Sequence, residues 1–134
     1  MEYNKPIPII DNDSKIYWES AKNNKLLIQY SKKSNEYFLY SKQLISNIDN
    51  NDIEWKEVSG KGKIYSFTEV YVPAGPAFKE ETPYIVASIE LEEGARIISN
   101  IVTSKKNITI GMKVKVIFDK QSEELTIPKF KIDE

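Results

Sequence analysis

Two glycines one residue apart, Gly60 and Gly62, constrain this chain more than any other feature. They sit in the stretch WKEVSGKGKIYSFTEV (55–70), which reads as two strands meeting at a Gly60-Lys61-Gly62 corner. Glycine there lets a strongly curved sheet turn without side-chain clash. Four more strand-like pieces follow at short spacing: PYIVASIELEEG (83–94), ARIISNIV (95–102), GMKVKVIF (111–118) and ELTIPKF (124–130). β-Branched and aromatic residues dominate them, and turn residues bound them. Ile85, Ala87, Ile89 and Leu91 share one face of their run, while Val114, Val116 and Phe118 oppose Lys113, Lys115 and Asp119. The hairpin turn Glu92-Glu93-Gly94 joins two of the pieces. Together they describe a small, curled, antiparallel barrel.

Ahead of the barrel the pattern changes. Pro6 and Pro8 bias their preceding residues away from helix, so residues 1–12 read as an extended arm. Asp13 or Ser14 can cap a short helix over roughly 14–23, with Tyr17 and Ala21 on one face and Trp18 beside them. Leu26 to Tyr30 then looks like a strand, and Glu36 to Tyr40 like its hairpin partner. Residues 41–52 (SKQLISNIDNND) are polar apart from Leu44, Ile45 and Ile48 and read as the linker into the barrel. The segment PAGPAFKEETP (73–83) reads as a long loop, too apolar at its tip to be mere spacer. The predicted organisation is an arm and helix over 1–24, a small module over 25–52 and the barrel over 53–134.

Composition removes several function classes. The chain has 134 residues, no cysteine and no histidine. Disulfides and thiolate chemistry are therefore excluded, as are the usual general base near neutral pH and the commonest metal ligand. Nineteen basic and 20 acidic residues give a net charge of −1, so no global field attracts nucleic acid or anionic lipid. No apolar run approaches membrane-spanning length and no leader pattern opens the chain, which predicts a cytoplasmic protein. The carboxylate pairs Glu80-Glu81, Glu92-Glu93 and Glu123-Glu124 sit in polar turns and read as solvated. Ser66, Ser88 and Ser99 lie inside strands without a histidine to activate them.

Two groups of residues remain as site candidates. The loop around Gly75, Pro76, Ala77 and Phe78, with Tyr84, offers flat apolar surface on a barrel rim. Phe78 and Tyr84 either face a ligand or pack on the barrel's own end. Lys61 and Lys63 beside the glycine corner, with Arg96, can pair with phosphates or partner carboxylates; each lysine also reads as an ordinary solvated charge. Arg96 is the single arginine among 19 basic residues, which marks it either as a position where a planar fork is used or as another ordinary surface charge.

In that order and with those words, WKEVSGKGKIYSFTEV and the pieces after it resemble the DUF35 family, over nearly the whole chain. The resemblance implies a mainly β protein: a five-stranded OB-fold barrel preceded by a short N-terminal helix and a rubredoxin-like zinc-ribbon module. In this chain that ribbon is degenerate. Ungapped alignment of LLIQ and WKEVSGKG with the family pattern puts Ser31, Ser34, Ile45 and Ile48 where four zinc-binding cysteines would lie. A serine hydroxyl is hardly ionised near neutral pH and isoleucine has no lone pair, so zinc is not expected and neither is any other resident cofactor. Tyr30, Tyr37, Phe38, Leu39, Leu44, Ile45 and Ile48 would form an apolar cluster in its place, either as a structural remnant or as a partner surface.

The resemblance further implies a non-catalytic subunit of a hetero-oligomer, partnered by a thiolase-like or HMG-CoA-synthase-like acyltransferase, that helps bind or channel acyl-CoA. A coenzyme A thioester is then the ligand to expect, contacted through Lys61, Lys63, Gly75, Pro76, Ala77, Phe78, Tyr84 and Arg96. The alternative is an OB-fold that binds single-stranded nucleic acid. Eight tyrosines and five phenylalanines supply stacking partners, yet the neutral charge balance and interspersed Lys and Glu argue against a phosphate track. The expectation is therefore no nucleic acid and no membrane. An enzyme acting alone ranks last.

Overall fold

Every second side chain of the strand Tyr84–Leu91 is buried, and that alternation makes it the spine of the molecule. The computed structural model describes residues 5–12, 14–39, 53–104 and 107–133. Its elements run α1 (Lys15–Lys22), β1 (Leu27–Ser31), β2 (Glu36–Phe38), β3 (Ile53–Glu57), β4 (Lys61–Val70), a 3-10 helix (Pro76–Glu81), β5 (Tyr84–Leu91), β6 (Arg96–Ile101), β7 (Lys113–Lys120) and β8 (Thr126–Ile132). Strands β4-β5-β6-β8-β7 close into a barrel, so the expected mainly β fold with an OB-like barrel and a short N-terminal helix is what forms. All barrel pairings are antiparallel except the β6–β8 seam, a parallel contact at Ile101 and Phe130. Hydrogen bonds from Val102 N–H to the Phe130 carbonyl and from Ser99 Oγ to the Pro128 carbonyl, both 2.8 Å, hold that seam shut.

The glycine corner works sterically, as its sequence implied. Gly60 has φ +77°, and a Cβ there would lie 2.3 Å from Val116 Cγ1. At Gly62 a Cβ would lie 2.5 Å from the main-chain oxygen of Glu90 on the neighbouring strand. Either side chain would push two paired strands apart. The corner is also tied down by the turn that read as merely solvated. Glu93 Oε2 accepts from Ser59 N–H at 2.9 Å, and Ser59 Oγ donates to Glu92 Oε2 at 3.1 Å. One step on, a β-bulge between Ile64 and Ser66 makes Tyr65 the extra residue and sharpens the barrel's bend.

The second sheet is small, with order β2-β1-β3. Strand β1 hairpins onto β2 and pairs along its full length with β3, from Leu27 opposite Glu57 to Ser31 opposite Ile53. The Trp55 strand, expected to belong to the barrel, thus joins the small sheet, and the division expected at 52/53 falls just before it. Five residues of matched ladder outweigh chain proximity to Gly60, and the bond from Val58 N–H to the Leu26 carbonyl extends the pairing to the corner. Helix α1 packs against β1, β7 and β8, with Ala21 fully buried. Ser14 takes its cap position, but Asp11 does the bonding, accepting from Ser14 N–H and Ser14 Oγ at 2.8 Å each; Asp13 lies outside the described residues. One apolar core runs from Leu26, Ile28 and Val58 in and beside the small sheet into Ile64, Ile89, Val114 and Phe130 of the barrel. Among the described residues no helix is long and apolar enough to cross a membrane.

Candidate functional site

A cleft of about 590 Å³ opens at the end of the barrel where β5 begins, within the size range of small-ligand sites. Its apolar wall comes from Phe78, Tyr84, Val86, Ile101 and Ile127. The segment expected to be a plain loop carries the 3-10 helix Pro76–Glu81, because Pro76 pre-sets the first helical φ. Gly75 precedes that helix, its carbonyl accepting from Phe78 N–H at 3.0 Å, while Pro76 and Ala77 form its first turn. Phe78 is the member of that group that lines the cleft, 6.4 Å from the Tyr84 ring and half-buried. The two rings thus meet at a tilt and both line the cleft.

Polar groups rim the cleft that the sequence did not flag. Lys5, from the N-terminal arm, pairs with Glu81 and lies 5.9 Å from the Phe78 ring centre, so the arm is pinned across the opening. On the far lip Lys129 Nζ sits 2.6 Å from Asp119 Oδ2, which also accepts from Gln121 Nε2 at 2.6 Å. Asn100 Nδ2 donates to the Ile85 carbonyl at 3.0 Å. These residues lie far apart along the chain, and only the strand register brings them to one lip. The proline spacing around Lys5 was the one local hint. Chemically the cleft supplies enclosure, hydrogen bonding and paired charges, with no thiol or imidazole anywhere in the chain.

The second candidate group lies elsewhere. Lys61 and Lys63 sit at the opposite end of β4 from Val70, the partner of Tyr84. Six residue steps along β5 lead from Tyr84 to Glu90, roughly 20 Å of strand. Lys63 Nζ is 3.8 Å and Arg96 Nε 4.0 Å from Glu90 carboxylate oxygens. The Arg96 guanidinium also stacks 3.8 Å from the ring centre of Tyr65, the bulge residue. That is a use for a planar cation which lysine could not serve equally. The structure thus splits the candidates into an apolar cleft and a charged strand end.

At the expected ribbon, Ser31 is buried and its Oγ accepts from Ser34 N–H at 3.3 Å, closing the β1–β2 turn. Tyr30 and Tyr37 meet at a tilt of 51° with ring centres 4.8 Å apart, and Tyr37 and Leu39 pack on the main core. Leu44, Ile45 and Ile48 lie outside the described residues. The donor set fails a zinc test on its chemistry, since two hydroxyls and two aliphatic side chains cannot replace four thiolates. Among the described residues no three His, Cys, Asp or Glu side chains cluster to hold a metal.

Comparison with known proteins agrees with this architecture. The family described as the ChsH2 C-terminal OB-fold domain matches residues 55–119. A probable enoyl-CoA hydratase alpha subunit of Thermomonospora curvata is 33% identical over 95% of this chain. The chain spans 40% of that protein's length, and 52 to 54% of two further curated relatives. A DUF35 domain-containing scaffold protein of Pyrococcus furiosus is 31% identical over 80% of this chain and 79% of its own length. Among solved structures, the one named Ltp2-ChsH2(DUF35) aldolase superposes with a TM-score of 0.82 at 32% identity, covering 94% of this chain and 98% of that one. An OB barrel with the glycine corner, matched along its length by these relatives, makes this chain a member of the DUF35 family.

Proposed function

We propose that this chain is a non-catalytic scaffold subunit that associates with a thiolase-like or HMG-CoA-synthase-like acyltransferase and helps hold or channel its acyl-CoA. The observation that carries the reading is the cleft itself. Its wall of Phe78, Tyr84, Val86, Ile101 and Ile127 suits an acyl or pantetheine chain, and its lip carries cations but no nucleophile of the thiol or imidazole kind. The names of its relatives support the coarser part of this reading, a scaffold subunit that partners an enzyme. Family members are called scaffold proteins, one relative is a subunit of an enzyme named for a CoA thioester, and one structural neighbour pairs the DUF35 name with Ltp2 in an aldolase. In this reading the reacting groups belong to the partner. Phe78 and Tyr84 grip the thioester's apolar arm, and Lys5 and Lys129 stand at the lips where polar parts of the ligand leave the cleft.

The test is capture followed by calorimetry. Tagged chain passed over lysate of its source cells should retain a thiolase-fold enzyme in near-stoichiometric amount. The complex should then bind a medium-chain acyl-CoA about tenfold more tightly with Tyr84 than with Tyr84→Ala. Recovery of no thiolase-fold enzyme at high protein concentration, or thioester turnover by the chain alone, refutes the assignment.

A further inference from the structure

Strand register assembles a charge pattern that the sequence hides. Lys61 on β4 is directly opposite Lys115 on β7, and Lys115 is directly opposite Lys131 on β8. One rung along, Lys63 is opposite Lys113. All five side chains are exposed, and all point outward, since the alternate residues Ile64, Val114 and Phe130 point into the core. Directly opposed residues on one face hold their Cβ atoms about 5 Å apart, so three ammonium groups stand abreast across three strands. Among the described residues, Lys63 alone of the five has an ion-pair partner, Glu90. A chain with net charge −1 has ample carboxylates to intersperse here, yet places lysine opposite lysine twice in one row. Like charges in that relation destabilise a sheet, so the row works against the fold's own stability.

We infer that the row Lys61–Lys115–Lys131, backed by Lys63 and Lys113, docks an acidic segment of a protein partner. Charge complementarity sets the sign of the occupant, and the surroundings set its class. The surface is a shallow concavity of about 410 Å³, and the exposed aromatic beside Lys63, Tyr65, already carries the Arg96 guanidinium over its ring, so it is not a free stacking platform of the kind single-stranded nucleic acid uses. Carboxylates bound both rungs: Glu92, whose N–H bonds the Lys61 carbonyl, beside the first, and Glu90 and Asp133 at the ends of the second. Interleaved with the lysines, they complement a protein surface of mixed sign whose centre is acidic. The face lies on the strand ends remote from Tyr84, so it adds a second contact surface to the molecule and does not depend on the acyl-CoA reading.

The experiment titrates isotope-labelled full chain with a hexaglutamate peptide, oligo(dT) or inorganic phosphate at low salt, following backbone amide shifts. The peptide should perturb residues around Lys61, Lys115 and Lys131, and its affinity should fall about tenfold as salt rises to physiological strength. The triple variant K61Q/K115Q/K131Q should lose that binding about tenfold, while K15Q/K22Q/K25Q, with the same charge change elsewhere, should keep it; dispersed amide spectra show that both variants fold. Perturbations that map elsewhere, equal losses in the two variants, or absence of peptide binding overturn the inference. So does oligo(dT) or phosphate binding more tightly than the peptide.

Discussion

The barrel and the small sheet solve the same problem with different means. The barrel closes on itself and fills its interior with Ile64, Ile89, Leu91, Val114 and Phe130, each 2% exposed or less. The small sheet has one fully buried aliphatic, Ile28, and beside it buries the polar Gln29 and Ser31. Gln29 is 3% exposed and its Oε1 has no hydrogen-bond partner among the described residues. With so little core of its own, the module must draw on the barrel, and the continuity of Leu26, Ile28 and Val58 with the barrel core is how it does so. The lesson is that a small sheet can hold together with little core of its own when its neighbour's core reaches under it.

The comparison can be broken most forcefully in the barrel. Phe130→Ala should cost about 3–5 kcal/mol in urea unfolding, against about 2 kcal/mol for Ile28→Ala; the reverse order would mean that the small sheet carries its own core. Next comes the joint between the two regions, where Tyr17 of α1 packs on the shared core. Burial pushes its hydroxyl from 10.0 up to about 12. The folded state then holds that proton more tightly than the unfolded chain, so its contribution is whole below pH 10 and is lost as pH rises through 12. That is roughly 3 kcal/mol, read as the alkaline loss of stability that wild type shows and Tyr17→Phe does not. Gln29→Met should be neutral or stabilising by about 1 kcal/mol in the same unfolding assay, because it removes an unsatisfied buried acceptor. Finally, zinc or a chelator should leave the melting temperature unchanged, whereas a zinc-dependent rise would return a metal to the small sheet.

The barrel was legible because its information is local. Alternation along 85–91 and 114–118 and the glycines at 60 and 62 each state a physical requirement within a few residues. What was not legible depends on register between distant segments. Nothing near Trp55 says that its strand pairs with β1 across more than twenty intervening residues. The lysine row consists of ordinary alternating lysines on three strands until pairing sets them abreast. The cleft was half visible: Phe78 and Tyr84 stood out as aromatics on a rim, while Lys5, Asn100 and Lys129 join them only through the fold. Arg96 stood out through composition, and its position over Tyr65 needed a bulge that no local signal announced.

The parallel rung between Ile101 and Phe130 has a consequence beyond shape. It completes a ring of strands, so the only margins onto which another polypeptide could extend the hydrogen-bonded ladder are the parts of β4 and β6 that lie beyond the two short seams. Whatever meets this half of the molecule elsewhere must read protruding side chains alone. Choice of associate can therefore drift by point substitution on the outer wall, while the frame beneath stays untouched.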